Sequence, residues 1–135
     1  MNAKLLLIED EEDFASLFLE CAKHLTWTCW HDATGANALD LARKQLPNLI
    51  VLDLNLPHKS GLGLLSDLKN DATLANIPVV VFSGNSETAT IKEALKLGAA
   101  CYYSKGGEWE DLFTILSQYL PSAFNRGKDL KPQTH

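Results

Sequence analysis

Short apolar runs of strand length alternate with segments of helical periodicity along the first 120 residues of this chain. Four of the runs are continuously apolar, which is typical of strands that are covered on both faces of a sheet. The remaining run alternates between apolar and polar residues, so it is predicted to lie at a sheet edge. The predicted strands are, in order, Lys4–Ile8, Thr26–Trp30 (the edge strand), Asn48–Leu52, Pro78–Phe82 and Ala100–Tyr103.

Between these runs, apolar residues recur at the spacing of one helix face. The clearest case follows the spacing i, i+3, i+4, i+7 and i+11 and consists of Phe14, Leu17, Phe18, Cys21 and Leu25. Similar patterns predict helices over Ile91–Gly98 and Trp109–Leu120, and weaker ones over Gly35–Leu46 and Gly61–Asn70. Strands that alternate with helices predict an α/β fold, because parallel strands need crossover connections that place helices on both faces. We therefore predict a doubly wound, five-stranded parallel sheet of flavodoxin-like order 2-1-3-4-5.

The composition is that of one globular domain, with 46% hydrophobic and 21% charged residues among 135. A net charge of -5 without a basic stripe argues against nucleic acid as a partner. No apolar run is long enough for a signal peptide or a membrane span, so no membrane partner is expected. The three cysteines form no CxxC pair, which favours reduced, buried thiols in a cytoplasmic protein. Residues 122–135 are predicted to be a flexible polar tail.

Polar side chains follow each central strand of the predicted sheet. Glu9 and Asp10 follow the first strand, and Asp53 follows the third. Ser83 follows the fourth strand and Lys105 the fifth. In open α/β sheets, ligands bind beyond the carboxyl ends of the strands, where the strand order reverses. The sequence therefore predicts that three acids, a hydroxyl group and a lysine meet in one site at this edge.

These residue types suit the transfer of a phosphoryl group to an aspartate. Crowded carboxylates raise one another's energy and so imply a bound cation, and oxygen ligands favour a hard ion such as Mg2+. Asp53 can attack phosphorus to form an acyl phosphate, while Asp10 and the Asn55 carbonyl help to hold the metal. Lys105 and Ser83 can contact the phosphoryl oxygens.

Four segments of the sequence occur together in one known family. They are residues 8–11 (Ile-Glu-Asp-Glu), 53–57 (Asp-Leu-Asn-Leu-Pro) followed by Gly61, 81–84 (Val-Phe-Ser-Gly) and 102–105 (Tyr-Tyr-Ser-Lys). In order and separation they resemble the receiver domain of two-component response regulators, of the stand-alone, single-domain type. The resemblance runs from Lys4 to about Leu120, and a receiver domain is accordingly expected over residues 1–121.

The resemblance implies roles for the residues that bind phosphate and metal. Asp53 would be the phosphoacceptor, and Glu9 and Asp10 would form the acidic pocket that binds Mg2+. Asn55 would add a backbone ligand to the metal. The phosphoryl group would come from a sensor histidine kinase or a relay phosphotransfer protein.

The resemblance also implies a switch. Ser83 and Lys105 would be the phosphate-sensing pair, and Tyr102 the aromatic residue that changes rotamer on activation. In this family the serine moves toward the phosphoryl group, and the aromatic ring enters the space left behind. A charge change of about -1.5 to -2 would bias this two-state element. The altered surface would lie roughly at Ser86–Leu120, where a downstream protein partner is expected to bind.

Two positions depart from the family pattern. Gly106 and Gly107 follow Lys105, where the family usually has a proline in a cis bond. Gly84 follows Ser83 in place of the usual alanine. Glycine leaves a turn looser than proline does, so the lysine and the switch are expected to be less tightly fixed. Neither change removes a reacting atom.

The sequence leaves two other functions open. One is a binding module that keeps the receiver fold but is never phosphorylated, which the glycines after Lys105 would fit. The other is a small phosphatase with an aspartate nucleophile, although such an enzyme needs a second acid where Asn55 stands. The favoured interpretation is a self-phosphorylating acceptor and not a turnover enzyme. No second domain is evident after the last predicted helix, so its output is expected to pass through a partner.

Overall fold

A computed structural model of the chain describes residues 3–57 and 59–120. Within these residues, strands and helices alternate strictly. The strands are β1 (Lys4–Ile8), β2 (Thr28–Asp32), β3 (Leu49–Leu52), β4 (Val79–Ser83) and β5 (Cys101–Ser104). The helices are α1 (Glu12–His24), α2 (Ala38–Gln45), α3 (Gly61–Asn70), α4 (Thr88–Lys96) and α5 (Trp109–Ser117). The polar tail predicted at 122–135 lies outside the described residues.

The strands form one parallel sheet in the order β2-β1-β3-β4-β5, which confirms the predicted topology. Strand β1 lies between β2 and β3, so the strand order reverses beside it. In register, Ile8 at the end of β1 lies opposite Leu52 at the end of β3. The carboxyl ends of these two strands therefore bring their following residues to one edge of the sheet.

The core consists of two apolar layers, one on each face of the sheet. Helices α1 and α5 cover the first face, where Leu5 and Leu7 of β1 are fully buried. Helices α2, α3 and α4 cover the second face, where Leu6 and Ile8 of the same strand are equally buried. Complete burial of one such side chain contributes about 1.5–3 kcal/mol, which explains why residues 5–8 of β1, all four of β3 and residues 79–82 of β4 are apolar.

Strand β2 lies at the sheet edge as predicted, but it begins two residues later than predicted. Thr26 has a φ angle of 59°, in the left-handed region, and so cannot extend the strand. The Trp27 N–H donates to the carbonyl of Ala22 at 2.8 Å and so satisfies a carbonyl of the last turn of α1. At its other end β2 continues to Asp32, whose carboxylate accepts hydrogen bonds from the N–H groups of Thr34 and Asn37. These bonds organise the turn that leads into α2, which begins at residue 38 and not at residue 35 as predicted.

The three cysteines, Cys21, Cys29 and Cys101, are free thiols. All three are partly and not fully buried, and Cys29 and Cys101 pack against the margin of the first apolar layer. In the described part of the chain, no helix combines the length and apolar character needed to cross a membrane.

Candidate functional site

Three carboxylates meet where β1 and β3 end. Glu9 and Asp53 are each 1% exposed, whereas Asp10 is exposed. One oxygen from each of the three lies within 4.8 Å of the other two. The structure thus brings together the three acids that the sequence predicted, and it does so through sheet bonds: the Asp53 N–H donates to the Ile8 carbonyl at 2.8 Å.

Glu9 is the acid whose hydrogen bonding is incomplete. Its Oε2 accepts from the N–H of Glu11 at 3.0 Å and from Lys105 at 2.9 Å. Its buried Oε1 finds no hydrogen-bond partner among the described residues. A buried carboxylate oxygen without a partner costs free energy, so this atom fits a cation ligand supplied from outside the chain. Asp10 and Asp53 complete an all-oxygen donor set of the kind that suits Mg2+.

The surroundings of Asp53 disfavour the ionised form of its carboxyl group. Burial raises the pKa of its carboxyl above the ordinary value, and the negative charge of Glu9 raises it further. The N–H of Asn55, which donates to Asp53 Oδ1 at 3.1 Å, and the charge of Lys105 oppose this rise. Burial and the neighbouring Asp53 also raise the pKa of Asp10. Both acids therefore bind a proton more readily than an ordinary aspartate when no cation is present.

Lys105 is the one cation among the described residues that touches this cluster. Its Nζ lies 2.9 Å from Glu9 Oε2 and 3.3 Å from Asp53 Oδ2, and its side chain is only 9% exposed. Burial works to lower the pKa of the lysine, but its hydrogen bonds to Glu11 and Glu9 outweigh burial and raise the pKa. The ammonium therefore stays charged and balances part of the negative charge of the pocket.

The turn from Ser104 to Gly107 positions Lys105 without the proline that the resemblance led us to expect after the lysine. The Lys105 N–H donates to the Ser83 carbonyl at 2.9 Å and so extends the pairing of β4 with β5. The N–H of Gly107 donates to the Ser104 carbonyl at 3.0 Å, and that of Gly106 to the Ser104 hydroxyl at 3.3 Å. No cis peptide bond occurs at residues 3–57 or 59–120. These contacts hold the turn where the sequence led us to expect a looser loop.

Gly107 is required by the close approach of an aromatic ring. A Cβ at this position would lie 2.6 Å from the hydroxyl oxygen of Tyr103. That hydroxyl donates to the carbonyl of Glu108, just before α5. The second glycine of the loop therefore makes room for a tyrosine that ties β5 to the start of α5.

Two of the remaining predicted site residues, Asn55 and Ser83, line an open cleft of about 240 Å³. Ser83 is 1% exposed, and its hydroxyl oxygen accepts from the Asn85 N–H at 3.1 Å. The hydroxyl of Tyr102 donates to the Asn85 carbonyl, so both predicted switch residues contact the same loop. The cleft is lined by Leu54, Asn55, Ser60, Leu62, Ser83, Asn85 and Thr90.

The sequence analysis missed two residues that touch Lys105. The Glu11 carboxylate lies 2.5 Å from the lysine Nζ, and the ammonium lies over the Phe14 ring, 4.7 Å from its centroid. Glu11 was one acid in a run of five, residues 9–13, and Phe14 fitted the apolar face of a helix. No local signal distinguishes either residue, because the contact depends on a lysine about 90 residues away.

The raised pKa values of Asp53 and Asp10 give an expected pH dependence of metal binding. A proton and Mg2+ compete for the same oxygens, so the Mg2+ affinity of the protein is expected to fall as the pH is lowered from neutral toward about 5. The fall should begin at a higher pH than for ordinary aspartates, whose pKa is about 3.9. Titration calorimetry at a series of pH values measures this. An affinity that stays constant over this range would contradict the raised pKa values.

The fold and site can now be compared with known proteins. The family model of the response regulator receiver domain matches residues 5–117. Sporulation initiation phosphotransferase F of Bacillus subtilis (strain 168) is 28% identical over 125 residues, which span 93% of this chain and 99% of that protein. This chain belongs to the response regulator receiver domain family. As a member of that family, it is a signalling receiver that accepts a phosphoryl group.

Solved structures agree with this assignment. The phosphorylated cyanobacterial phytochrome response regulator RcpA is similar with a TM-score of 0.78 and 30% identity, covering 90% of this chain and 100% of that one. The Mn2+-bound form of response regulator Rcp1 is similar with a TM-score of 0.73 and 31% identity, covering 84% of this chain and 88% of that one. Receivers bind a divalent metal at an acidic site, and this chain has an acidic cluster at the corresponding sheet edge.

Proposed function

We propose that Asp53 is the phosphoacceptor of this receiver. The observation that carries the proposal is the position of the Lys105 ammonium, 3.3 Å from Asp53 Oδ2 and 2.9 Å from Glu9 Oε2. A phosphoryl group on Asp53 would find a cation already beside it. The Asp53 carboxylate is also held in a fixed orientation for attack on phosphorus, since its Oδ1 accepts from the Asn55 N–H at 3.1 Å and its Oδ2 from Lys105 at 3.3 Å.

The transfer itself needs positioning more than acid or base catalysis. An Asp53 carboxylate oxygen forms the new O–P bond while the bond from phosphorus to the histidine nitrogen of the donor breaks, and that nitrogen keeps the electron pair. Lys105 contacts one phosphoryl oxygen, and the Ser83 hydroxyl turns from its present bond with Asn85 toward another.

Glu9, Asp10 and Asp53 would hold Mg2+, with the Asn55 carbonyl as a further ligand. The support is the all-oxygen donor set and the buried Glu9 Oε1 without a partner in the described chain. When bound, the metal supplies charge neutralisation for the phosphoryl oxygens. Among solved structures of similar receivers, one bears Mn2+ and another has a magnesium ion in its active-site cleft.

The phosphoryl donor is a sensor histidine kinase or a relay phosphotransfer protein. The relative from Bacillus subtilis is named as a phosphotransferase, which supports a place in a relay. The output surface is the region Ser86–Leu120, where Tyr102 links β5 to the loop after Ser83. Asn85 thus contacts both Ser83 and Tyr102, so a movement of the Ser83 hydroxyl can alter Tyr102 within the proposed output surface. The chain acts as an acceptor and not as a turnover enzyme, and its free thiols support a cytoplasmic location.

The purified chain is expected to gain the mass of one phosphoryl group when it is incubated with acetyl phosphate and Mg2+. Removal of the metal with EDTA should prevent this gain, because three carboxylates that Lys105 balances only in part would repel the anionic donor. Intact-protein mass spectrometry measures both. A chain that stays unmodified with Mg2+ present would support the alternative of a receiver fold used only for binding.

A further inference from the structure

Lys105 makes a third ion pair in addition to those with Glu9 and Asp53. Its partner is Glu11, whose side chain is 56% exposed and whose Oε1 lies 2.5 Å from the Lys105 Nζ. We propose that Glu11 is a positioning residue that holds the Lys105 ammonium beside the acceptor site. This inference rests on the proposed function and concerns how the lysine is kept in place for it.

Hydrogen bonds hold the backbone of Glu11 on both sides. It is the residue before the first turn of α1, and its N–H donates to the Glu9 carboxylate at 3.0 Å. Its carbonyl accepts the Ala15 N–H at 3.0 Å, which is the first hydrogen bond of the helix. Because its backbone is already fixed on both sides, only the Glu11 side chain has to be ordered for its carboxylate to reach the lysine.

Phe14, one turn further along α1, also contacts the Lys105 ammonium, through the face of its ring. The Lys105 Nζ lies 4.7 Å from the centre of the Phe14 ring and 5.6 Å from that of Phe82. These two rings pack edge to face, with centroids 5.3 Å apart. The start of α1 thus supplies both a carboxylate and an aromatic face to one lysine.

Two features of this chain give a separate partner for the lysine a function. First, the turn after Lys105 is held by backbone hydrogen bonds, which fix the main chain but leave the long lysine side chain to be placed by its own contacts. Second, the other two partners of the lysine, Glu9 and Asp53, belong to the candidate metal cluster, whereas Glu11 does not. A metal that engages Glu9 and Asp53 weakens their hold on the ammonium, and Glu11 is the carboxylate that remains.

The test compares Glu11→Gln with Glu12→Gln, which removes the same charge one residue away. Glu12 is exposed and forms no ion pair within the described chain, so it controls for the general effect of charge on an anionic donor. The first measurement is the rate at which Lys105 is acetylated by a water-soluble N-hydroxysuccinimide ester in the metal-free protein, followed by peptide mass spectrometry. The second is the rate of phosphorylation by acetyl phosphate with Mg2+.

For Glu11→Gln we expect Lys105 to be acetylated about two- to fivefold faster, because it loses an exposed ion pair of ordinary strength. Phosphorylation should be slower than in Glu12→Gln by a similar factor, and Glu11→Asp should recover part of it. The Mg2+ affinities of Glu11→Gln and Glu12→Gln should agree.

Equal acetylation of Lys105 in Glu11→Gln and Glu12→Gln would overturn the proposal. So would a loss of Mg2+ affinity confined to Glu11→Gln, since Glu11 would then be a metal ligand. The acetylation rate does not require phosphorylation. If the wild-type chain accepts no phosphoryl group, the proposed function fails while the role of Glu11 is still measured.

Discussion

Replacement of Asp53 by asparagine is expected to abolish the gain of a phosphoryl group from acetyl phosphate. The variant keeps the shape of the side chain but has no carboxylate oxygen to form the bond to phosphorus. The loss of a covalent nucleophile should lower the rate by at least about a thousandfold. Intact-protein mass spectrometry over a time course, with Mg2+ present, provides the measurement.

Asp10→Asn is the matched control for this experiment. Asp10 belongs to the same cluster but is exposed, so its replacement should weaken Mg2+ binding and slow the reaction without removing the acceptor. The fold of Asp53→Asn can be checked by thermal unfolding at neutral pH. Its stability should not fall, because burial and Glu9 already disfavour the ionised form of Asp53, as its raised pKa indicates. A mass gain that persists in Asp53→Asn would mean that another acid is the acceptor.

Gly61→Ala is expected to destabilise the fold by about 1–3 kcal/mol, the usual range for overpacking. A Cβ at Gly61 would lie 2.3 Å from the Cα of Leu54 and 2.6 Å from its carbonyl oxygen. Backbone atoms cannot move aside as the end of a side chain can. The Gly61 N–H also donates to that carbonyl at 3.2 Å, so the clash would open the loop that carries Asn55.

Gly63→Ala, two residues further along α3, should have the opposite effect. The added Cβ would lie 3.6 Å from Ser60 Cβ, an ordinary contact, and alanine is favoured over glycine in a helix by up to about 1 kcal/mol. Urea unfolding of the two variants, with equal m-values, measures the difference. If both variants unfold at the same urea concentration, the result would contradict the inference that Gly61 packs too closely against Leu54 to accept a Cβ.

The fold could be predicted from the sequence because burial on both faces leaves a clear pattern. Strand β3 is continuously apolar and lies in the centre of the sheet, where it pairs with β1 and β4. Strand β2 was predicted two residues too early, since its start depends on the left-handed backbone of Thr26 and not on hydrophobicity. The start of α2 was also predicted too early, because it depends on hydrogen bonds from the turn to the Asp32 carboxylate and not on hydrophobicity.

The meeting of the predicted site residues could also be anticipated, because a parallel sheet collects whatever follows its strands at one edge. Glu9, Asp53 and Lys105 follow three different strands and lie within hydrogen-bonding distance in the structure. The contacts of Glu11 and Phe14 could not be anticipated. They depend on the side-chain conformation of a lysine from the other end of the domain, which no local pattern encodes.

The pairing of Lys105 with Glu9 joins residues 96 positions apart. During synthesis, β1 and its acids leave the ribosome long before β5 is made, since domains are translated from the N-terminus at a finite rate. A nascent or truncated chain without β5 therefore has the same acids but lacks the lysine that balances part of their charge. Under the proposed function, acceptance of a phosphoryl group is then expected only from chains that have been translated through the fifth strand.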